Sequence, residues 1–132
     1  MQVQQAMSLF IALSRNVAET SPTAEDPRLR TRLYSLSRET VWNTIQQLAG
    51  LQQGWKVIKL DSAAGLLEAE ARTRLLKFVD DVTIRVSTAT SERVSVDVHS
   101  RSRVGKGDLG TNARRIGKFL EELDSMLAPT QR

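Results

Sequence analysis

Two runs of strict alternation stand out along the chain. Val82, Ile84 and Val86 occupy every second position of VDDVTIRVST, and Val94, Val96 and Val98 do the same in RVSVDVHSRS. A period of two sends successive side chains to opposite faces of a strand, so each run predicts a strand with one valine-rich face and one charged face. The polar stretch between them, STATSE, predicts a hairpin turn. A turn centred on Ala89 and Thr90 sets Val86 opposite Val94, Thr83 opposite Asp97, Asp81 opposite His99 and Asp80 opposite Ser100, with Arg85 diagonal to Asp97. Past Val98 the valine parity passes to Ser100 and Ser102, and on the partner strand to Asp80.

An earlier pair of runs, WKVIKL and LLEAEARTRLL, flanks the turn DSAAG and predicts a second antiparallel hairpin. Placing Leu60 opposite Leu66 sets Trp55 and Val57 against Ala71 and Ala69 on one face, and Lys56 and Ile58 against Glu70 and Glu68 on the other. A first strand is expected in RLRTRLYSL, from Arg28 to near Leu36.

The period then changes from two to that of a helix. Val41, Trp42, Ile45, Leu48 and Ala49 share one helical face, with Ser37 as the expected N-cap, Glu39 in the first turn and Gly50 and Gly54 punctuating the end. Ala113, Ile116, Leu120, Leu123 and Leu127 predict a second helix, for which Asp108 is the expected N-cap and Asn112 and Arg115 lie in the first turns. Trp42 and Trp55 read as core residues. Near the start, Val3, Met7, Phe10 and Ile11 mark one face of a short helix, and the small, acidic, proline-containing stretch from Asn16 to Pro27 reads as a linker. The expected organisation is an N-terminal helix and linker over residues 1–27, one α+β domain over 28–128 and a tail over 129–132. Within the domain the order strand, helix, four strands, helix predicts an antiparallel sheet of about five strands with both helices on one face, a helix-grip-like arrangement.

Composition narrows the chemistry. The 132 residues are enough for one core and one site, and there is no cysteine for a disulfide, thiolate metal site or thiol nucleophile. His99 is the only histidine, so metal-centre and Ser/His/Asp readings start low and no cofactor or metal is assigned. Nineteen Lys and Arg against 15 Asp and Glu leave a charge of +4, but aromatics make up only 5% and no strand carries paired aromatics for base stacking, so nucleic acid is not an expected partner. The apolar run AMSLFIAL is too short to span a bilayer, and no basic residue precedes it as a secretory signal requires. The expected location is the cytoplasm. Docking of the N-terminal helix on its own domain or on a second copy ranks ahead of peripheral membrane contact, since its polar face has no lysine and it has no tryptophan.

Hydroxyls and a carboxylate at core parity need partners, because an unsatisfied buried polar group costs about 1 to 3 kcal/mol. The segment GKGDLGTNARRI that follows supplies them. We expect Asp80, Ser100, Ser102 and Arg103 to fasten the strand ends to the start of the last helix, with a structural anchor ranked ahead of a binding site. Gly105, Gly107 and Gly110 also spell G-x-G-x-x-G between a strand and a helix, the context of a dinucleotide fingerprint. That reading ranks low. The fingerprint needs a parallel strand after the helix with an acidic residue beyond it, only APTQR follows here, and Asp108 would occupy the helix start that a phosphate requires.

The segments DPRLRTRLY, VDDVTIRV and VDVHSRSRVGKGDLGTNARRI resemble the bacterial family known as domain of unknown function 1499, over roughly Glu19 to Leu127. The resemblance implies a shared α+β fold without an established activity. It carries the family's hallmark positions onto Asp80, Asp81, Arg85, Ser100, Ser102, Arg103, Gly105, Asp108, Leu109, Gly110, Asn112 and Arg115. It also implies exported or membrane-anchored relatives with an N-terminal cysteine segment, whereas this chain has no cysteine.

Three functions follow as alternatives. The first in rank is a non-catalytic binding or interaction module, possessing either the open sheet face with Arg85, Arg101 and Asp97 or the N-terminal helix as its contact surface, for a protein partner or a second copy. The second is a carrier of a small apolar ligand or lipid, which predicts a cavity lined by Ala69, Ala71, Trp42 and Leu120. The third is a hydrolase-like enzyme using Asp80 or Asp81 with His99, Arg101 or Arg103, which requires a cleft that exposes them.

Overall fold

The computed structural model describes residues 16–74, 77–104 and 110–128. In chain order the elements are strand β1 (Val17–Glu19), a 3-10 turn (Pro27–Leu29), strand β2 (Arg32–Tyr34), helix α1 (Arg38–Leu51), strands β3 (Trp55–Asp61), β4 (Leu66–Arg72), β5 (Val79–Thr90) and β6 (Arg93–Ser102), and helix α2 (Thr111–Leu127). The strands form one antiparallel sheet of six. β3, β4, β5 and β6 follow one another as a meander, and the free side of β6 is shared by two short strands, β1 opposite His99–Arg101 and β2 opposite Val94–Val96.

The strand count corrects the expected five. The sixth strand is Val17–Glu19, in the stretch read as a linker. Three residues carry no alternation signal; they join because the upper half of β6 would otherwise present unpaired backbone groups. The expected first strand is also shorter. Pro27 opens a 3-10 turn capped by the Asp26 side chain, Arg30 forms only an isolated bridge to Ser21, and the strand itself is Arg32–Tyr34. The expected N-terminal helix lies outside the described residues.

Parity holds throughout the long hairpin, while its register is two residues from the expected one. Asp80 lies opposite Ser102, Asp81 opposite Arg101, Thr83 opposite His99, Arg85 directly opposite Asp97 and Val86 opposite Val96. The ladder closes at Thr90 and Arg93, after an irregularity at Ala89. A shift of two leaves every side chain on its face, so the valine pattern cannot position the turn. In the β3–β4 hairpin the expected pairs hold from Trp55 to Val57, and then a bulge at Ile58 sets Lys59 rather than Ile58 opposite Glu68.

One face of the sheet is covered by both helices. Leu67, Ala69 and Ala71 of β4, Val82, Ile84 and Val86 of β5 and Val94, Val96 and Val98 of β6 are buried in a single core with Val41, Trp42, Ile45 and Leu48 of α1 and Ile116, Phe119, Leu120, Leu123 and Leu127 of α2. Trp55 is half-buried, its ring stacked on Phe119 at 5.3 Å between centroids. Ser37 caps α1 as expected, its Oγ accepting from the Thr40 N–H at 3.0 Å. The β3–β4 turn leans on β5, where the Val86 N–H donates to the Gly65 carbonyl at 2.8 Å. Gly65 has φ +67°, and a Cβ there would collide with the Val86 carbonyl oxygen.

Candidate functional site

The polar positions at core parity meet at one end of the sheet. Gly110, with φ 82°, occupies the N-cap position of α2 and brings Asn112 and Arg115 over the ends of β5 and β6. Asn112 is the hub. Its Oδ1 accepts from Ser100 Oγ at 2.7 Å and from Arg115 Nη1 at 2.8 Å, while its Nδ2 donates to Ser102 Oγ at 2.9 Å and to the Asn16 carbonyl at 3.1 Å. Asn16 is tied in turn to Ser102, accepting from its N–H at 2.7 Å and donating from Nδ2 to its carbonyl at 3.2 Å. One cluster thus fastens the entry to β1, the end of β6 and the first turn of α2.

Asp80 completes it from β5. It is 1% exposed, and its Oδ2 lies 2.8 Å from Arg115 Nη1. The two protons of that nitrogen are committed to Asn112 Oδ1 and Ser100 Oγ, so Asp80 Oδ2 is held by charge without an aligned hydrogen bond. A carboxylate that is 1% exposed and paired, among the described residues, with one cation is an internal counter-ion. As a catalytic base it would have to reach a substrate.

Arg103 departs from the expected cluster. It lies on the opposite, uncovered face, where its guanidinium donates to Asp81 Oδ1 at 2.7 Å and to Glu70 Oε2 at 2.6 Å. The hydrogen bond from Arg103 holds the Asp81 carboxyl below the usual carboxylate range, and the two carboxylates raise the Arg103 pKa. Odd and even residues of β6 point to opposite faces, and Arg103 shares its parity with Asp97, His99 and Arg101.

The uncovered face carries the remaining charges in rows. Arg101 stands opposite Asp81 and then Glu70 and Lys56; His99 stands between Glu19 and Thr83; Arg85 stands opposite Asp97. Asp97 Oδ1 accepts from Thr20 Oγ1 at 2.7 Å and Thr31 Oγ1 at 2.5 Å. The Arg85 and Arg101 side chains are exposed and, among the described residues, make no hydrogen bond and no ion pair within 4 Å, although the Arg101 charge also helps to hold the Asp81 carboxyl low. Beside Arg85 lies a shallow depression of about 280 Å³ lined by Glu19, Thr20, Thr83, Arg85, Asp97, Val98 and His99. Among the described residues no group of three His, Cys, Asp or Glu side chains could hold a metal ion, and no helix is long and apolar enough to cross a membrane.

Residues 6–123 match the family model described as "Protein of unknown function (DUF1499)". The chain belongs to the DUF1499 family. No curated protein matches it. Three solved structures are similar in outline to this DUF1499 chain. One is the Zhui aromatase/cyclase from Streptomyces sp. R1128, at 15% identity, covering 85% of this chain and 86% of that one, with a TM-score of 0.45. Another is a Thermobifida fusca protein solved by NMR, at 7% identity, 88% and 85% coverage and a TM-score of 0.49. The third is a Chromobacterium violaceum protein, at 14% identity, 84% and 96% coverage and a TM-score of 0.42.

Of the hallmark positions carried over from DUF1499, the fold brings Asp80, Ser100, Ser102, Asn112 and Arg115 into one buried cluster, and places Asp81, Arg85 and Arg103 on the uncovered face. Asp108, the expected cap, lies outside the described residues, as do Gly105 and Leu109. His99 faces Thr83 and Glu19 instead of Asp81. The residue that sequence reasoning missed is Asn16. Its role depends on the three-residue strand beside it, and nothing local in NVAET announces that strand.

Proposed function

We propose that this DUF1499 protein is a non-catalytic binding module whose contact surface is the uncovered face of the sheet, and that it recognises acidic groups through Arg85 and Arg101. The observation that carries the reading is the pair of exposed guanidiniums without ion-pair partners among the described residues. Arg101 and Asp97, the partner of Arg85, lie four positions apart on β6, so the two cations flank His99 over about 13 Å of strand, and Arg85 lines the depression beside it. An exposed arginine offers five donors in a fixed fork, suited to carboxylate or phosphate oxygens.

The alternatives draw less support. A carrier needs space between sheet and helices, but Ala69, Ala71, Trp42 and Leu120 are all buried within one packed core. A hydrolase-like site needs an accessible acid or base, but Asp80 is closed in by α2 and Asp81 is engaged by Arg103.

Differential scanning fluorimetry with inorganic phosphate, citrate and a glutamate-rich peptide tests the reading. At least one probe raises the melting temperature of the parent protein, the rise shrinks with added salt, and the Arg85→Glu/Arg101→Glu variant loses it. No rise in the parent, or an equal rise in the variant, contradicts the reading.

A further inference from the structure

The β5–β6 hairpin ends in an apolar pair that no described residue covers. Beyond the Asp80–Ser102 pair the Arg103 N–H donates to the Val79 carbonyl at 3.4 Å, so Phe78 and Val104 come next on the two strands. They share the parity of Asp80 and Ser102, on the helix side of the sheet. Further in along these strands the apolar residues of that parity, from Val82 to Val86 and from Val94 to Val98, are all buried. Phe78 is 42% and Val104 61% exposed. Two neighbouring large apolar side chains at the end of a buried row form the rim of a core that needs one more piece.

The position of Asn16 says which piece reaches it. β1 runs antiparallel to β6, with Ala18 opposite Ser100 and Val17 opposite Arg101, and Asn16 is bonded to Ser102 through both backbone and side chain. The chain therefore arrives at Asn16 from the end of the sheet where Phe78 and Val104 stand. The fifteen residues before it carry Val3, Met7, Phe10 and Ile11 at helical spacing, and the DUF1499 match begins at residue 6, within that segment. Arg15 is its only Lys or Arg, which is poor composition for a helix lying on an anionic membrane.

We infer that the N-terminal segment of this chain docks on Phe78 and Val104 through Met7, Phe10 and Ile11. The inference concerns the helix-covered side of the sheet and stands apart from the arginine face.

The absence of cysteine from the chain makes a cross-linking test clean. Phe10→Cys is combined with Val104→Cys in the full chain, oxidised at low protein concentration, and read by non-reducing electrophoresis and peptide mass spectrometry; Met7→Cys with Phe78→Cys serves as a second pair. Both pairs form a disulfide within one chain, whereas Phe10→Cys with Ser87→Cys, at the far end of β5, stays reduced. A disulfide only between chains would assign the patch to a second copy and overturn the inference. Absence of any disulfide would overturn it too, and pelleting of that protein with phosphatidylglycerol–phosphatidylcholine vesicles would then identify lipid as the occupant.

Discussion

Arg115 Nη1 lies 2.8 Å from Asp80 Oδ2, joining the first turns of α2 to the start of β5 inside the core. The pair is asymmetric in what its removal leaves behind. Arg115→Ala strands a carboxylate that is 1% exposed and takes a donor from both Ser100 and Asn112. The expected loss is about 3–5 kcal/mol of stability, measured by urea unfolding. Asp80→Asn removes the buried charge while keeping an acceptor, and is expected to lose less.

Tyr34 is the only tyrosine, so its ionisation can be followed directly. Burial, then the hydrogen bond to Asp124 Oδ1 at 2.6 Å, raises its pKa well above the ordinary value of 10.0. A raised pKa means that the folded protein keeps this proton after the unfolded chain has released it. The contribution is therefore fully present below about pH 10 and is lost as pH rises above it. Alkaline titration should show phenolate absorbance appearing together with unfolding rather than before it, and Tyr34→Phe should flatten the fall in melting temperature above pH 10.

Asp81 has the opposite sign. Its carboxyl is held low by the Arg103 hydrogen bond, so its contribution is present above the unfolded value of about 3.9 and is lost as pH falls through the lower folded value. The group is largely solvated, and an exposed pair of this kind contributes little. Arg103→Ala is expected to lower the urea midpoint slightly at neutral pH, and the difference from the parent should close as pH falls below about 4.

Gly65→Ala tests the close approach of the β3–β4 turn to β5. The added methyl meets the Val86 carbonyl in a backbone conformation with φ +67°. Strain at such a position costs about 1–3 kcal/mol, and the clash adds to it. Calorimetry should show a clear drop in melting temperature, while Gly50→Ala, with nothing within 4 Å of the added carbon, should be neutral or stabilising.

Much of this architecture was legible because parity is robust. The alternation of valines placed Asp80, Ser100 and Ser102 on the covered face and Asp97, His99 and Arg101 on the other, and a two-residue error in register leaves those assignments intact. The same robustness explains the errors. Nothing in the alternating pattern distinguishes Asp80 opposite Ser100 from Asp80 opposite Ser102, and the bulges at Ile58 and Ala89 follow from pairing rather than from composition. Arg103 was grouped with the serines by sequence proximity, although its odd number placed it with Arg101. Asn16 could not be found, because a strand of three residues is stable only beside the edge that it covers.

The most direct test of the division between a buried fastening and an exposed contact face is a citrate-induced melting shift measured on three proteins. The account predicts that the parent shows the shift, that Arg85→Gln/Arg101→Gln, which sets no like charge against Asp97 or Asp81, melts near the parent temperature yet loses the shift, and that Ser100→Ala melts lower yet keeps it. A shift that survives in the arginine variant and disappears in Ser100→Ala would place binding at the buried cluster and contradict the account.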